Sequence, residues 1–592
     1  MNAEYLLKHF DRIAEAPDAV PRLRRFILDL AVRGKLVEQD PGDEPAAELL
    51  KRIQAEKVKL VQDGKIKEQK KTGPVSADEV PFALPRRWSN TRLAAISVCL
   101  DYMREPVNGN ERDKRIEGKA VFELIPYFGA TQQQGWIDDY IFDEELVLLG
   151  EDGVPFFDIL RPKAYVISGK SWVNNHAHVF RGTLVSNQFL AHWLNTFDYA
   201  GRVVGATRSK LNQARALDIP ISLPPLAEQR RIVAKVDELM VLCDRLAAAQ
   251  NKREQRRDRL VSASLHQLQN EEGLTPRRQD AKEEKEVDEK TLGVLASWRE
   301  PVFLQDMPRL TTRPEHIMAL RRTILNLAVR GRLVQQDSND EPARRFLADL
   351  RADRAQIGER LGLRIQSTLA ESDLTVCLFA IPVSWRWTCL DECFLVTGGI
   401  QKTPKRIPRT NAFSYVGVAN VYRGRLDLSQ LKQFELLDGE LERLRLEVDD
   451  ILVVEGNGTA SEIGRCARWN GEIIDCIHQN HIIRCRPANP AISRFTELYL
   501  NSEIGVEVMK QLAVTSAGLY NLSVGKIRRI RLPLPPLAEQ HRIVAKVDEL
   551  MAVCDQLEAN LTTTQTDSRR LLEAVLRDAL APALEAAACR IQ

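Results

Sequence analysis

The chain has 592 residues, too many for one compact core, and its 44% hydrophobic and 28% charged content is that of a globular protein built from several domains. A formal net charge of +2 excludes a protein that coats nucleic acid by bulk charge, but leaves room for local basic faces offset by acidic ones. No stretch is apolar for long enough to span a bilayer and the N-terminus has no signal-type run, which points to the cytoplasm. The ten cysteines contain no Cys-x-x-Cys pair, so reduced, packed thiols are expected in place of disulfides or zinc.

In chain order, residues 1–75 are expected to form a helical block holding ILDLAVRGKLV at 27–37 and the acidic turn Asp43-Glu44-Pro45. A variable insert follows at 76–222. Its short apolar runs, Leu146–Leu149 and Tyr165–Ile167, read as strands, and Gly150–Gly153 reads as a turn. Pro224-Pro225 stops the insert and permits a helix to start, so 223–269 is expected to be a long helix. Ile232, Val236, Leu239, Cys243 and Leu246 fall at alternating steps of four and three, the seam of a coiled coil. The flanking Glu228, Arg231, Lys235, Asp237 and Glu238 are expected on exposed faces. Residues 270–305 form a charged linker.

The pattern then repeats. A second helical block, 306–378, carries ILNLAVRGRLV at 324–334 and the turn Asp340-Glu341-Pro342. A second insert, 379–533, has strand-type runs at Ile451–Val454 and Ile482–Ile483, and a second long helix fills 534–592. LPPLAEQRRIVAKVDELMVLCDRL at 223–246 returns as LPPLAEQHRIVAKVDELMAVCDQL at 534–557, with differences only at 230, 241, 242 and 245 of the first copy. Its seam is Ile543, Val547, Leu550, Cys554 and Leu557. Two near-identical frames thus hold two different inserts, a duplicated module of far longer period than a solenoid repeat. The expected fold class is α+β: two mixed α/β domains separated by an antiparallel pair of long coiled-coil helices, with internal pseudo-two-fold symmetry. The seams are expected to pair the long helices with each other, in preference to packing each on its own domain.

The duplicated LPPLAEQ strings resemble the motif that closes each target-recognition domain in the specificity subunits of type I restriction–modification systems. YFGATQQQGWIDDYIFD (127–143), LVLLGEDG (146–153) and GKSWVNNHAHV (169–179) in the first insert look like strings common in such domains, as do VANVYRGRLDLSQ (418–430), DDILVVEGNG (449–458), IGRCARWNGEI (463–473) and CIHQNHIIR (476–484) in the second. The Pro-x-x-Trp-x-Trp opening is intact at Pro382, Trp385 and Trp387, whereas the first copy, Pro85 and Trp88, has Asn90 at the last position. The resemblance implies a non-catalytic subunit that recognises a bipartite DNA target, one half per insert. It implies docking of two methyltransferase subunits that carry S-adenosylmethionine and methylate adenine N6, with an ATP/Mg-driven motor–nuclease subunit as a further partner.

No catalytic signature, metal set or cofactor loop is evident in this chain. Gly169-Lys170-Ser171 looks like the end of a phosphate loop, but Ala164 stands where its first glycine is needed, so a turn is expected. His176-x-His178 and His478-x-x-His481 lack the companions of a zinc set and are expected to be hydrogen-bonded structural histidines. His176 and His481 sit in related strings, and a residue shared by two domains that read different DNA is a poor choice for base readout. For DNA contact, the candidates are Gln132, Gln133, Gln134, Arg202, Arg208, Lys210 and Asn212 in the first insert. In the second they are Gln401, Lys402, Lys405, Arg406 and Arg409. Arginine and lysine suit phosphates, while arginine, asparagine and glutamine suit base edges. Two other readings stay open at this point. One is a fused enzyme, which needs a methyltransferase or nuclease motif. The other is a coiled-coil scaffold, which salt-sensitive duplex binding would exclude.

Overall fold

The structure is a computed structural model that describes residues 16–68, 72–80, 82–205, 209–270, 311–363, 378–457, 459, 462–516 and 519–580. Apart from Asn270, the charged linker lies outside the described residues, as does Arg208. The chain divides into two compact units, 1–254 with 563–592, and 255–562. The unit boundaries fall inside the long helices, so each unit contains the start of one and the end of the other.

The first unit opens with α1 (Ala19–Val32) and α2 (Ala46–Gln62). α1 stops at Gly34, whose φ of +64° is a left-handed conformation that suits glycine. A Cβ at Gly34 would sit 2.5 Å from Pro85 Cγ and 3.1 Å from the Trp88 ring, so the repeated Arg-Gly of one block is shaped to the repeated Pro-x-x-Trp of another. β1 (Ser89–Arg92) leads into the insert. The central sheet comprises β2 (Ser97–Cys99), β3 (Leu146–Gly150), β4 (Ala164–Ile167) and β5 (Ala177–Gly182), in the antiparallel order β2-β5-β3-β4. α3 (Asn187–Thr196) packs Phe189, Leu190, Trp193 and Leu194 into the main core. β6 (Pro220–Leu223) then returns beside β1, pairing Ser89 with Leu223, so the insert starts and finishes at one two-stranded clasp. Asn90 is at home there, accepting a hydrogen bond from its cross-strand neighbour Ser222 at 2.8 Å.

Leu146 to Leu149 are all fully buried because both faces of the central sheet are covered. Val147 and Leu149 join the core under the frame, while Leu146 and Leu148 join a second core with Val98, Phe142 and Val179. A run without alternation is what a doubly covered strand requires. A smaller sheet, built on 125–128, 133–137 and 170–173, adds one parallel pairing, Tyr127 with Trp172. Gly169, at φ +73°, makes the expected turn before Lys170. The long helix α4 (Leu226–Asn270) follows and is unbroken through the polar stretch 251–259.

The second unit repeats the construction. α5 (Pro314–Val329) and α6 (Ala343–Arg360) precede the clasp of β7 (Arg386–Cys389) with a returning strand, 531–534. The sheet of β8 (Phe394–Gly398), β9 (Ile451–Val454), β10 (Cys466–Arg468) and β11 (Ile482–Pro487) runs in the antiparallel order β8-β11-β9-β10. α7 (Ser493–Asn501) covers it, and α8 (Leu537–Leu580) is the second long helix. The smaller sheet again has one parallel pair, Tyr415 with Ile477. Extra length in the second insert falls in this sheet. Phe128 pairs with Gln133 across a short turn, whereas Tyr415 pairs with Lys432 across a connection containing its own hairpin, Val421–Tyr422 with Arg425–Leu426.

The seam residues are buried or half-buried, and the neighbours they meet include the first helix of their own unit. Ile232, Val236 and Cys243 share a core with Val20, Ile27 and Ala31 of α1, and Leu239 and Leu246 pack against it. Ile543, Val547, Leu550, Cys554 and Leu557 share one with Ile317, Leu320 and Ile324 of α5. Each seam is thus shared with the first helix of its unit. The last turns of the other long helix join in: Val261 and Leu265 of α4 lie in the α5 core, and Leu572 and Val575 of α8 pack with Ala16 and Ala19.

Candidate nucleic-acid interface

The duplicated motif turns inward, which corrects the expected exposure of Glu228. That residue is 1% exposed, and its carboxylate accepts from the Trp88 indole at 3.0 Å and from Gln39 at 2.5 Å. The counterpart, Glu539, accepts from Gln336 at 2.5 Å. Gln229 and Gln540 donate to the carbonyls of Pro224 and Pro535. Arg231 pairs with Asp43 at 2.7 Å and Arg542 with Asp340 at 2.6 Å. Burial raises the Glu228 carboxyl above its ordinary range, against the pull of Gln39 and Trp88. The identity of the two copies therefore serves the lock between helix and frame, while Asp237, Glu238, Asp548 and Glu549 stay exposed.

Beyond the frame, each insert has a corner where three segments converge. In the first, β3 ends at Gly150 and the chain turns through Glu151 and Asp152. The Glu151 amide donates to the His176 carbonyl at 2.8 Å, and the Leu211 amide donates to the Glu151 carbonyl at 2.8 Å. The Glu151 carboxylate pairs with Arg104 at 2.9 Å and Lys210 at 3.0 Å. Buried His178 lies 2.6 Å from Asp101 through Nδ1 and 2.8 Å from the Leu211 carbonyl through Nε2. Burial would raise Asp101, yet His178, Arg104 and the Val179 amide hold it below the ordinary carboxylate range. Asp101, Glu151 and His178 bring metal-type ligand atoms together, but Arg104 and Lys210 already supply cations to both carboxylates. The cluster is a network tying strand, turn and hairpin together.

The candidates of the first insert separate. Gln132, Gln133 and Gln134 are exposed at the tip of the 125–137 hairpin, with local bonds only, Gln133 to the Gly135 carbonyl at 3.0 Å and Gln134 to that of Gln132 at 3.5 Å. Lys210 is half exposed and tied to Glu151. Asn212, the residue before the helix Gln213–Leu217, is exposed and makes no capping bond. Arg202 is mostly buried, pairs with Glu79 at 3.0 Å and Asp218 at 3.1 Å and lies over the Phe197 ring. Its charge ties the opening segment of the insert to the segment that ends it.

In the second insert, Gln401, Lys402, Lys405 and Arg409 are exposed on a loop leaving Ile400. The Lys402 and Lys405 ammonium groups have no partner among the described residues. Glu435 organises the loop by accepting from the amides of Arg409 at 2.6 Å and Asn411 at 2.9 Å. Arg406 differs from these four in having a carboxylate partner. It is bidentate to Glu440, with one contact at 2.8 Å, so it anchors the loop. Sequence reasoning missed two exposed aromatics that carry cations: Tyr140 beneath Lys170, 4.5 Å away, and Tyr422 beneath Arg425, 4.3 Å away. For the second, an aromatic and an arginine flanking a Gly turn, Tyr-Arg-Gly-Arg, was the available signal.

The family model for the type I restriction modification DNA specificity domain matches residues 109–253 and 385–564, one match on each insert with the start of its long helix. The chain belongs to this family of DNA specificity subunits. It is 29% identical to the EcoEI specificity subunit of Escherichia coli over 598 aligned positions, covering 95% of this chain and 94% of that one. It is 27% identical to the EcoAI specificity subunit of the same organism, covering 94% and 93%. The crystal structure of the HsdS subunit from Thermoanaerobacter tengcongensis is 16% identical, with 84% of this chain and 98% of that one covered and a TM-score of 0.37. No helix of the described residues is long and apolar enough to cross a membrane.

Proposed function

We propose that the chain reads a bipartite duplex target in the cytoplasm, with residues 76–222 and 379–533 each taking one half. One observation carries this: two copies of the same clasp, sheet and helical lock present differently built exposed loops, a tight glutamine-rich tip in one insert and a lysine-bearing loop with an extra hairpin in the other. A constant frame under variable loops is how one scaffold reads two sequences. Two methyltransferase subunits dock on the repeated frame, the faces bearing Lys235, Asp237 and Glu238 and their counterparts Lys546, Asp548 and Glu549 being the duplicated surface. Those subunits bind S-adenosylmethionine and methylate adenine N6, and an ATP-driven motor–nuclease subunit completes the restriction enzyme.

The test is co-expression with the methyltransferase subunit and mapping of N6-methyladenine across host DNA. The expected result is a bipartite motif with an unspecified spacer, lost on deleting this chain and altered in one half when one insert is exchanged. Methylation unchanged by the deletion would overturn the reading. For docking, a methyltransferase subunit that still bound two per chain after Lys235, Asp237, Glu238 and their counterparts were scrambled would remove these faces from the contact.

A further inference from the structure

His176 and His481 occupy the same place in the two inserts. Each stands just before the long strand of its central sheet, β5 or β11, and each carbonyl receives the amide of the glutamate that ends the neighbouring strand: Glu151 to His176 at 2.8 Å, Glu455 to His481 at 2.9 Å. The hairpin after the domain helix hooks onto that same glutamate in both, through the amides of Leu211 and Leu522. In both, Nδ1 is fixed by a carboxylate from the turn, Asp152 at 2.8 Å and Glu455 at 3.1 Å. The rings are also open to solvent, 40% and 55% exposed, and Nε2 has no partner among the described residues. A histidine needed only for packing would be closed off, as His178 and His478 are.

We infer that His176 and His481 are a duplicated contact to the DNA phosphate backbone, one in each half-site, which rests on the DNA-reading function proposed above. The argument is one of likeness. Base readout must differ between the inserts, and around this corner the side chains do: Asp152 after Glu151 and Lys210 before Leu211 in the first become Gly456 after Glu455 and Asn521 before Leu522 in the second. The phosphate backbone is the part of a duplex that is the same in both half-sites, and a feature kept in both inserts fits it. The chemistry fits as well. A ring that bridges a carboxylate at Nδ1 and a phosphate oxygen at Nε2 donates an N–H to each. In the first insert, Asp152 faces the ring and the neighbouring Glu151 is paired with Arg104 and Lys210; in the second, Glu455 is the facing charge. These contacts set the register of the insert on the duplex and leave sequence choice to the loops.

The experiment uses the full chain assembled with its methyltransferase subunits, carrying H176Q, H481Q or both. Binding is measured over a salt series to two duplexes, one with the methylated motif and one scrambled. The expected result is an equal loss on both duplexes, roughly 3- to 10-fold per histidine, with the salt slope reduced by about one for each. H176K and H481K recover most of the loss, since a lysine restores the charge without the ring. Unchanged affinity and slope in H481Q, the more exposed site, overturn the inference while the DNA-reading function stands. A loss confined to the motif duplex also overturns it, because that outcome means base readout. A wild-type complex that binds neither duplex in a salt-dependent way overturns both readings. Thermal melting of each variant separates a folding defect from a lost contact, and H481K, at a site with little burial, keeps the test open if H176Q is unstable.

Discussion

Arg231 on the long helix reaches back across 188 residues to pair with Asp43 in the acidic turn before α2. The same bond recurs between Arg542 and Asp340, so two strings conserved within the repeat, LPPLAEQ-x-R and Asp-Glu-Pro, are the two halves of one clasp. The arginines are more than a third exposed while the aspartates are nearly buried. Loss of either arginine is expected to cost about 1 kcal/mol, below a fully buried pair because solvent screens the guanidinium. Arg542, by direct hydrogen bond, holds the Asp340 carboxyl below its ordinary range. A depressed carboxyl contributes stability above its unfolded value, about 3.9, and loses it as pH falls through the lower folded value. Urea unfolding of Arg542→Ala against the parent should therefore show a difference at neutral pH that shrinks in acid.

Gly34 and Gly331 give a larger effect. Both have left-handed φ, +64° and +69°, and a Cβ at Gly331 would lie 2.6 Å from Pro382 Cγ and 2.9 Å from the Trp385 ring. Conformational strain and collision add, so Gly331→Ala should destabilise by about 2–4 kcal/mol. A midpoint shift in thermal unfolding checks it, and Gly64→Ala is the control: φ there is +67° with nothing within 4 Å, so only the backbone cost of about 1 kcal/mol should remain.

Glu228→Ala leaves the buried Trp88 indole N–H without an acceptor, while exposed Gln39 returns to water. The expected cost is about 1–3 kcal/mol, the penalty of one unsatisfied buried donor. Burial has raised the Glu228 carboxyl, so its charged form opposes folding: the parent gains stability as pH falls through the folded value toward the unfolded one. The variant should lack that gain, and denaturation at several pH values between about 4 and 7 will show whether the two curves converge or separate.

Much of the architecture was legible because the chain is written twice and its apolar runs carry no alternation. Leu146–Leu149 and Ile451–Val454 read as strands, and the structure buries both fully. What was not legible depends on partners far along the chain. Glu228, at the start of a charged helix, has the signature of an exposed residue, and only Trp88, 140 positions away, shows otherwise. Arg202 and Arg406 satisfy every compositional test for a phosphate contact. Their carboxylates lie 123 and 34 positions off, at Glu79 and Glu440, and a count of basic residues in a loop cannot see them.

That distinction decides the loop at 401–409. Charge reversal at Lys402 and Lys405 removes two ammonium groups that have no partner among the described residues, without disturbing the bonds that shape the loop, since Glu435 holds it through backbone amides. Affinity of the assembled complex for duplex DNA at moderate salt should fall by about tenfold or more, with the salt slope reduced by about two. Arg406→Ala should act differently. It frees Glu440 and costs about 1–2 kcal/mol of stability in the second insert, with an affinity change that tracks the loss of folded protein. Fluorescence-anisotropy titrations paired with melting curves separate the two. If the lysine variant binds with parent affinity, the loop lies outside the DNA contact and the Tyr422–Arg425 hairpin becomes the part of the second insert to test next.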